Sequence, residues 1–199
     1  MSRTPSPPSA IDVPPLAFVP TRVFFTSGQG VHEHERVAVQ HALRQAGVAD
    51  CNLVKVSSVI PPGCRVVDRA EAEQLLRPGN VLFAVIAQAV TQEPHQRLSV
   101  GVGWAIPDKP GVPGYASEVE EEQGHGMSAE ACADELGPTA VRLLAERLRV
   151  KADAETLWKK RKGGITLGRV RVTADCLTET VVGDEQGRYT AAVALAVYL

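Results

Sequence analysis

The sequence predicts an α/β sandwich in which mixed or antiparallel sheets are covered by helices. Apolar, β-branched segments and helical segments follow one another in the order β-α-β-α-β-β-β-α-β-β. After residue 81 the regular alternation of single strands and helices is lost, which argues against a doubly wound nucleotide-binding fold. The 199 residues, 44% of them hydrophobic, suffice for one compact domain.

The first half of the predicted domain alternates strands with short helices. Residues 22–26 (RVFFT) predict a strand that ends in a turn at residues 27–30 (SGQG). The apolar stripe that follows predicts a helix over residues 33–46. Residues 52–60 predict a strand that runs into a rigid turn at residues 61–63 (PPG).

A capped helix and two neighbouring strands come next. Asp68 is predicted to cap a helix over residues 69–76. Residues 81–90 are almost wholly apolar, whereas residues 98–106 alternate large apolar and smaller residues. Because strands so close in sequence normally pair, we expect these two to form a hairpin.

The C-terminal part predicts one strand, a long helix and two closing strands. The strand spans residues 115–119, and the helix is capped by Ser128 and runs toward Val150. Gly137-Pro138 predicts a kink or a break into two helices, because proline lacks the N–H donor. The closing strands are predicted at residues 170–177 and 188–199, with their turn at residues 183–187.

The start of the chain differs in composition from the rest. Residues 1–16 contain five prolines and predict a flexible arm, so that the folded domain comprises residues 17–199. The arm lacks the charged segment, apolar core and cleavage site of a signal peptide. We therefore expect a cytoplasmic protein.

Charge and cysteine content restrict the kinds of ligand and partner that we expect. The net charge of −2 gives no basic field for nucleic acid and no polybasic segment for a membrane surface, and no run of 18 apolar residues occurs. The four cysteines show no CxxC pattern, which is typical of reduced thiols. We expect a small molecule or another protein as ligand, with neither nucleic acid nor membrane.

The most informative segment is residues 56–63 (VSSVIPPG), where two adjacent hydroxyls, Ser57 and Ser58, lie in an apolar strand just before a double proline. From composition alone, the simpler interpretation is a strand end whose hydroxyls bond to neighbouring carbonyls. The surrounding residues favour a different interpretation, because they form a longer recognisable pattern.

That pattern spans residues 52–64 (NLVKVSSVIPPGC), together with FFTSG at 24–28, GVGWAIP at 101–107 and GYASE at 114–118. In these segments the chain resembles the pyruvoyl-dependent arginine decarboxylase family, particularly its bacterial members. The resemblance extends from about residue 22 to the C-terminus. It implies a four-layer αββα sandwich, a homotrimer or a hexamer of two trimers, and an active site shared between neighbouring subunits.

The resemblance also implies self-cleavage between Ser57 and Ser58 into residues 1–57 (β chain) and 58–199 (α chain). Ser58 would attack the Ser57 carbonyl, and elimination and hydrolysis would convert Ser58 into a covalent pyruvoyl group with loss of ammonia. That group would bind the amine of an amino-acid substrate as a Schiff base, so pyridoxal phosphate is not needed. The implied reaction converts L-arginine to agmatine and carbon dioxide.

Two further residues are catalytic candidates. Asn52 lies six residues before Ser58, hence on the same face of a regular strand, and is a candidate donor to the Ser57 carbonyl; its alternative role is a strand-start cap. By its match to the family, Glu118 is the candidate acid that protonates the substrate carbon, kept protonated by a shielded site. Glu118 also begins an acidic run, but it ends a strand whereas the later glutamates fall in a loop.

The main departure from the family is Gln40, at a substrate-binding position where the family usually carries an acid that pairs with the guanidinium. Glutamine cannot supply that charge. Either Glu33, Glu35 or a neighbouring subunit replaces it, or the enzyme decarboxylates a different amino acid. A third alternative is an unprocessed relative that serves as a binding or assembly module.

His32, His34 and His41 could suggest a metal site. They are not spaced four residues apart on one helix, and no cysteine or carboxylate lies at a familiar ligand spacing. We therefore expect surface histidines and no metal.

Overall fold

Two five-stranded sheets form the centre of the protein. The computed structural model describes residues 18–199, without the side chains of residues 121 and 122, so the arm predicted at residues 1–16 lies outside the described residues. Sheet A has the order β2-β5-β10-β1-β4 and sheet B the order β3-β7-β6-β9-β8. The strands are β1 (Arg22–His32), β2 (Asn52–Lys55), β3 (Val59–Ile60), β4 (Arg65–Val66), β5 (Val81–Thr91), β6 (Arg97–Pro107), β7 (Gly114–Val119), β8 (Ile165–Leu167), β9 (Val170–Val182) and β10 (Tyr189–Tyr198).

Helices cover the outer face of each sheet. The helices are α1 (Glu35–Gln45), α2 (Arg69–Leu75), α3 (Glu121–Gly124), α4 (Ala129–Leu148) and α5 (Ala154–Lys159). Helices α1 and α2 pack on sheet A, and α4 packs on sheet B with α5 against it. Between the sheets lies an apolar core in which the rings of Phe25 and Trp104 stack 3.6 Å apart. The predicted α/β sandwich is confirmed, with layers in the order αββα.

The strand predicted at residues 22–26 continues as β1 to His32, so the expected turn at residues 27–30 is wrong. Gly28 and Gly30 lie where α1 crosses the strand, and a methyl group on either would overlap a backbone carbonyl oxygen of that helix. The glycines therefore permit close contact between helix and strand instead of turning the chain.

The predicted hairpin is also wrong. Strand β5 pairs with β2 and β10 in sheet A, whereas β6 pairs with β7 and β9 in sheet B. Each strand has a strongly apolar face, and stacking the two in opposite sheets buries both faces in the same core. The closing strands β9 and β10 likewise separate into the two sheets. Among the strand pairs of residues 18–199, the expected antiparallel pairing holds throughout sheet B and in sheet A except for the parallel pairs β1–β4 and β2–β5.

Helix α4 runs unbroken through Pro138, so the predicted division into two helices is wrong. Leu136 and Gly137 beside the proline are buried, and the Leu136 carbonyl accepts a 2.7 Å hydrogen bond from the Ser117 hydroxyl of β7. Gly137 packs directly on the Trp158 ring of α5. These tertiary contacts offset the donor that proline lacks.

The predicted helix caps are confirmed. The Asp68 carboxylate accepts the Glu71 N–H ahead of α2, and the Ser128 hydroxyl accepts the Ala131 N–H ahead of α4. Within residues 18–199, no helix combines the length and apolar character that crossing a bilayer requires.

Replacing Gly28 by alanine tests the close contact between β1 and α1. Gly28→Ala is expected to lower the free energy of unfolding by about 2 kcal/mol, because the added methyl group forces helix and strand apart. The measurement is denaturant unfolding followed by circular dichroism. Gly163→Ala is the matched control, since a methyl group there meets no atom within 4 Å, and it should change stability by less than about 0.5 kcal/mol. Equal effects in both variants would contradict the packing role.

Candidate active site

The Ser57–Ser58 peptide is where the chain passes from one sheet to the other. The last bond to sheet A runs from the Val56 N–H to the Ala84 carbonyl (3.0 Å), and the first bond to sheet B runs from the Ala116 N–H to the Ser58 carbonyl (2.8 Å). The single strand predicted over residues 52–60 is therefore two strands, β2 and β3, in different sheets. The two strands are the terminal strands of their sheets, so the crossing lies at one end of the sandwich.

The crossing is a tight turn that aims a donor at the Ser57 carbonyl. The Val59 N–H donates to the Ser57 oxygen at 2.9 Å, a γ-turn-like bond with Ser58 at its centre. The Ser58 C=O and the Val59 N–H belong to one planar peptide and point in opposite directions. Because the Ser58 oxygen is held by Ala116, the Val59 N–H is held toward Ser57.

Glu118 of β7 lies beside the Ser58 side chain. The Ser58 hydroxyl donates to a Glu118 carboxylate oxygen at 2.9 Å, and both residues are half-buried. Glu118 is opposite Val102 in the pairing of β7 with β6, and its side chain is on the face that covers the inter-sheet core. Glu118 lies within the strand and Glu120 lies beyond it with an exposed side chain, as the sequence argument expected. The expected loop is wrong for Glu121 and Glu122, which belong to helix α3.

An ion pair at the protein surface joins the segment that contains Ser58 to the segment that contains Glu118. Lys55, three residues before Ser58, pairs with Glu120, two residues after Glu118. Both side chains are exposed, so the pair contributes at most about 1 kcal/mol. Sequence reasoning missed it, although opposite charges flanking the two candidate residues were a usable signal.

The nearby thiol does not compete with Ser58 as a nucleophile. Cys64 follows the Pro61-Pro62-Gly63 turn and is buried in the inter-sheet core. Burial raises the pKa of the Cys64 thiol to about 11, so the thiol stays neutral at physiological pH.

A cavity of about 370 Å³ opens on the side of the chain where Ser57 lies. Its walls are mainly apolar and aromatic, and among residues 18–199 none of the lining residues carries a charge. The lining residues are Phe18, Pro20, Val56, Ser57, Val59, Pro61, Phe83 and Tyr198. The cavity suits the aliphatic part of a ligand, and the part of its wall that the structure describes offers no carboxylate for a guanidinium.

Asn52 is held away from the Ser57 carbonyl in this chain. It begins β2, and its side-chain amide donates to the Gly79 carbonyl at 3.1 Å. The reasoning from a regular strand fails because β2 ends at Lys55. The hydrogen bond to Gly79 ties the start of β2 to the turn before β5, which is the alternative role that the sequence left open.

Gln40 lies on the exposed side of α1, and its amide donates to the Ala49 carbonyl at 2.9 Å. It is not among the residues that line the cavity beside Ser57. Glu33 and Glu35 are exposed near the start of the same helix. The structure therefore brings Ser57, Ser58 and Glu118 together but not these three residues.

The rings of His34 and His41 each lie 5.6 Å from the ring of His32. Within residues 18–199, no group of three or more histidine, cysteine or acidic side chains has a geometry that could hold a metal ion.

Comparison with known proteins agrees with the motifs around Ser58. A family model described as pyruvoyl-dependent arginine decarboxylase matches residues 22–199. A protein of Chlorobium limicola named probable pyruvoyl-dependent arginine decarboxylase is 36% identical over 184 residues, which cover 92% of this chain and 99% of the relative. The pyruvoyl-dependent arginine decarboxylase of Nitrosopumilus maritimus is 34% identical over 185 residues, covering 92% and 99%. The resemblance inferred from the sequence motifs is confirmed.

Proposed function

The chain belongs to the pyruvoyl-dependent arginine decarboxylase family, and we propose that it cleaves itself at Ser57–Ser58 and decarboxylates L-arginine to agmatine and carbon dioxide. It is a carboxy-lyase whose cofactor is a covalent pyruvoyl group. The observation that carries the assignment of this group to Ser58 is the bond from its hydroxyl to Glu118, beside a Ser57 carbonyl that already accepts a donor.

Self-cleavage begins with attack of the Ser58 hydroxyl oxygen on the Ser57 carbonyl carbon. The new C–O bond replaces the peptide C–N bond, and the nitrogen takes up the proton that the hydroxyl gives up. Negative charge develops on the Ser57 oxygen in this step, where the Val59 N–H at 2.9 Å stabilises it. A preorganised donor of this kind contributes about 3 kcal/mol to the transition state.

The ester then breaks between the Ser58 side-chain carbon and oxygen. The Ser58 α-carbon loses its proton, Ser57 leaves with a free carboxylate, and Ser58 becomes dehydroalanine. Hydrolysis of the tautomeric imine releases ammonia and leaves the pyruvoyl group. The products are residues 1–57 and 58–199, and the domain, predicted from residue 17 onward, is a complex of the two chains.

Glu118 serves the decarboxylation that follows. When present, the pyruvoyl carbonyl supplies an electron sink for the carbon that loses carbon dioxide. The Glu118 carboxyl lies 2.9 Å from the atom that Ser58 loses, so it remains beside the reacting carbon after cleavage. From there it donates the proton that replaces carbon dioxide.

We propose that the enzyme is a trimer or a pair of trimers. Within residues 18–199, β1 has no partner on its second edge beyond Val23, and β9 has none beyond Val172. These free edges lie at the opposite end of the stacked sheets from Ser58. Because the two ends are different surfaces, joining them head to tail makes a heterologous contact, which forms a ring where the rotation between subunits closes and does not form a twofold dimer. The mass of the native particle checks the subunit number.

In the proposed ring, Gln40 would lie near the substrate-binding site of the neighbouring subunit. Helix α1 packs over β1 and β10, toward the end with the free edges. In a head-to-tail ring that end meets the neighbour's Ser58, and α1 then approaches the neighbour's site. We therefore propose that Gln40 contacts the guanidinium across the subunit interface.

The intact mass of the denatured protein tests the cleavage. We expect two fragments that meet between Ser57 and Ser58, the second lighter than its serine-ended form by the mass of ammonia. Ser58→Ala should remain one chain, because it lacks the attacking hydroxyl. A wild-type chain that stays uncut after long incubation would favour the binding or assembly module instead.

The same time course tests Asn52, whose role as a donor to the Ser57 carbonyl stays a prediction. A carbonyl oxygen accepts two hydrogen bonds, so the Ser57 oxygen that accepts from the Val59 N–H can take a second donor. Asn52→Ala is then expected to slow cleavage about 100-fold with little change in melting temperature. A lower melting temperature with unchanged cleavage would leave only the bond to Gly79.

Replacing Glu118 separates cleavage from decarboxylation. Glu118→Gln keeps a hydrogen-bonding group beside Ser58 but cannot transfer a proton, so cleavage should proceed while kcat falls about 100-fold or more. The measurement is carbon dioxide release per pyruvoyl group. Glu120→Gln is the matched control in the exposed ion pair and should keep kcat within about twofold. Comparable losses in both variants would argue against Glu118 as the acid.

Measuring activity on several amino acids tests the alternative that Gln40 raises, a substrate other than arginine. We expect carbon dioxide release from arginine, and much less from lysine, ornithine or aspartate. Gln40→Glu should lower the KM for arginine about tenfold, because it turns a neutral guanidinium contact into a charged one. Faster release from another amino acid would establish the alternative substrate, and an unchanged KM would place the guanidinium contact elsewhere.

A further inference from the structure

Tyr198, the penultimate residue of the chain, reaches the segment that follows Ser58. It ends β10, the central strand of sheet A, and is only 3% exposed. Its hydroxyl donates to the Val59 carbonyl at 3.1 Å, across the gap between the sheets. No local pattern connects two residues that lie 139 positions apart.

The hydrogen bond from Tyr198 satisfies the Val59 carbonyl, which has no partner in β7. Within residues 18–199, strand β3 is the terminal strand of sheet B and pairs only with β7. Polar backbone groups of successive residues point to alternate sides of a strand, so the Val59 N–H and C=O point away from β7. The N–H bonds to Ser57 and the C=O accepts from Tyr198, and each of these bonds fixes one of the two peptide planes on either side of Val59.

The hydrogen bond from Tyr198 to the Val59 carbonyl becomes more important after cleavage. Once Ser57 leaves, Ser58 becomes the first residue of the α chain, and chain ends lose order unless they are tied down. Two bonds then remain next to the pyruvoyl group, from Ala116 in sheet B and from Tyr198 in sheet A. Burial raises the pKa of the Tyr198 hydroxyl, with Cys64 and Glu118 adding to the shift, so the group stays a neutral donor.

We infer that Tyr198 is a positioning residue, which holds the Val59 carbonyl so that the new chain end carries its pyruvoyl group beside Glu118. The inference rests on the proposed function. It assigns to the C-terminal end of β10 a part in both self-cleavage and decarboxylation, exerted through the backbone of Val59 without contact with the reacting atoms.

Tyr198→Phe removes the hydroxyl and keeps the ring. We expect cleavage and kcat per pyruvoyl group each to fall about tenfold, the effect of losing one buried hydrogen bond on a reaction rate. The KM should stay within about twofold, because the cavity wall keeps its aromatic ring. Tyr189→Phe, at the other end of the same strand, is the matched control and should behave as the wild type.

A second measurement does not depend on cleavage. In the uncleaved Ser58→Ala protein, hydrogen exchange of the peptide spanning residues 56–62 should quicken when Tyr198→Phe is added and not when Tyr189→Phe is added. An uncut wild-type chain would overturn the proposed function while this exchange difference still supports the hold on Val59.

Three results would overturn the role of Tyr198. The first is wild-type kcat, cleavage and exchange in Tyr198→Phe. The second is a raised KM with unchanged kcat, which would indicate a substrate contact. The third is an equal loss in both tyrosine variants together with lower melting temperatures, which would indicate a general effect on β10.

Discussion

The site depends on one constraint, the passage of the backbone between two stacked sheets within a single peptide. Val56 still bonds to sheet A and Ser58 already bonds to sheet B, so the Ser57–Ser58 peptide lies between two fixed attachments, and the Ser58–Val59 peptide cannot turn without breaking the sheet bond to Ala116. This is how the Val59 N–H comes to point at the Ser57 carbonyl. In a flexible loop with the same sequence, water would bond to the Ser57 carbonyl. Ordering the turn before the reaction would then carry an entropic cost.

The same passage explains why the bond can be lost without losing the fold. Strand β2 is held by β5, and β3 is held by β7 and by Tyr198. Each side of the Ser57–Ser58 peptide therefore has its own attachment, and the large inter-sheet core does not include the crossing itself. The proposed cleavage would free only the local geometry of the turn, and the packing that stabilises the sandwich would remain. The new chain end would then be fixed in space although covalently free.

The sequence and its family resemblance predicted the layers and singled out Ser58 and Glu118, which the structure brings into contact, but not the assignment of strands to sheets. Periodicity identifies which residues face a core, and it located β5, β6 and β10 closely, whereas β9 extends five residues beyond the predicted end, to Val182. It cannot say whether two neighbouring apolar strands pair or stack, because both arrangements bury the same side chains. The glycines of β1 were misinterpreted for a related reason: a glycine that permits a turn and one that permits a close helix look alike in one sequence. Ser58 and Glu118 were found through a motif, whereas the Val59 N–H and Tyr198 depend on contacts made only after folding.

The position of the site at one end of the sandwich has a chemical consequence for assembly. Ser57 and Val59 are exposed in the single chain, the latter by 45%, and water there would compete both for the Ser57 oxyanion and for the carbon that awaits a proton. The opposite end offers what is missing: free strand edges, the exposed Val182, and the exposed polar side of α1. In the proposed ring, a neighbour docked by that end would exclude water from Ser58 and pair backbone groups that residues 18–199 of a single chain leave open. Under that proposal the departure at Gln40 belongs to the interface, where one chain would supply the reacting centre and the next the contact that selects the substrate.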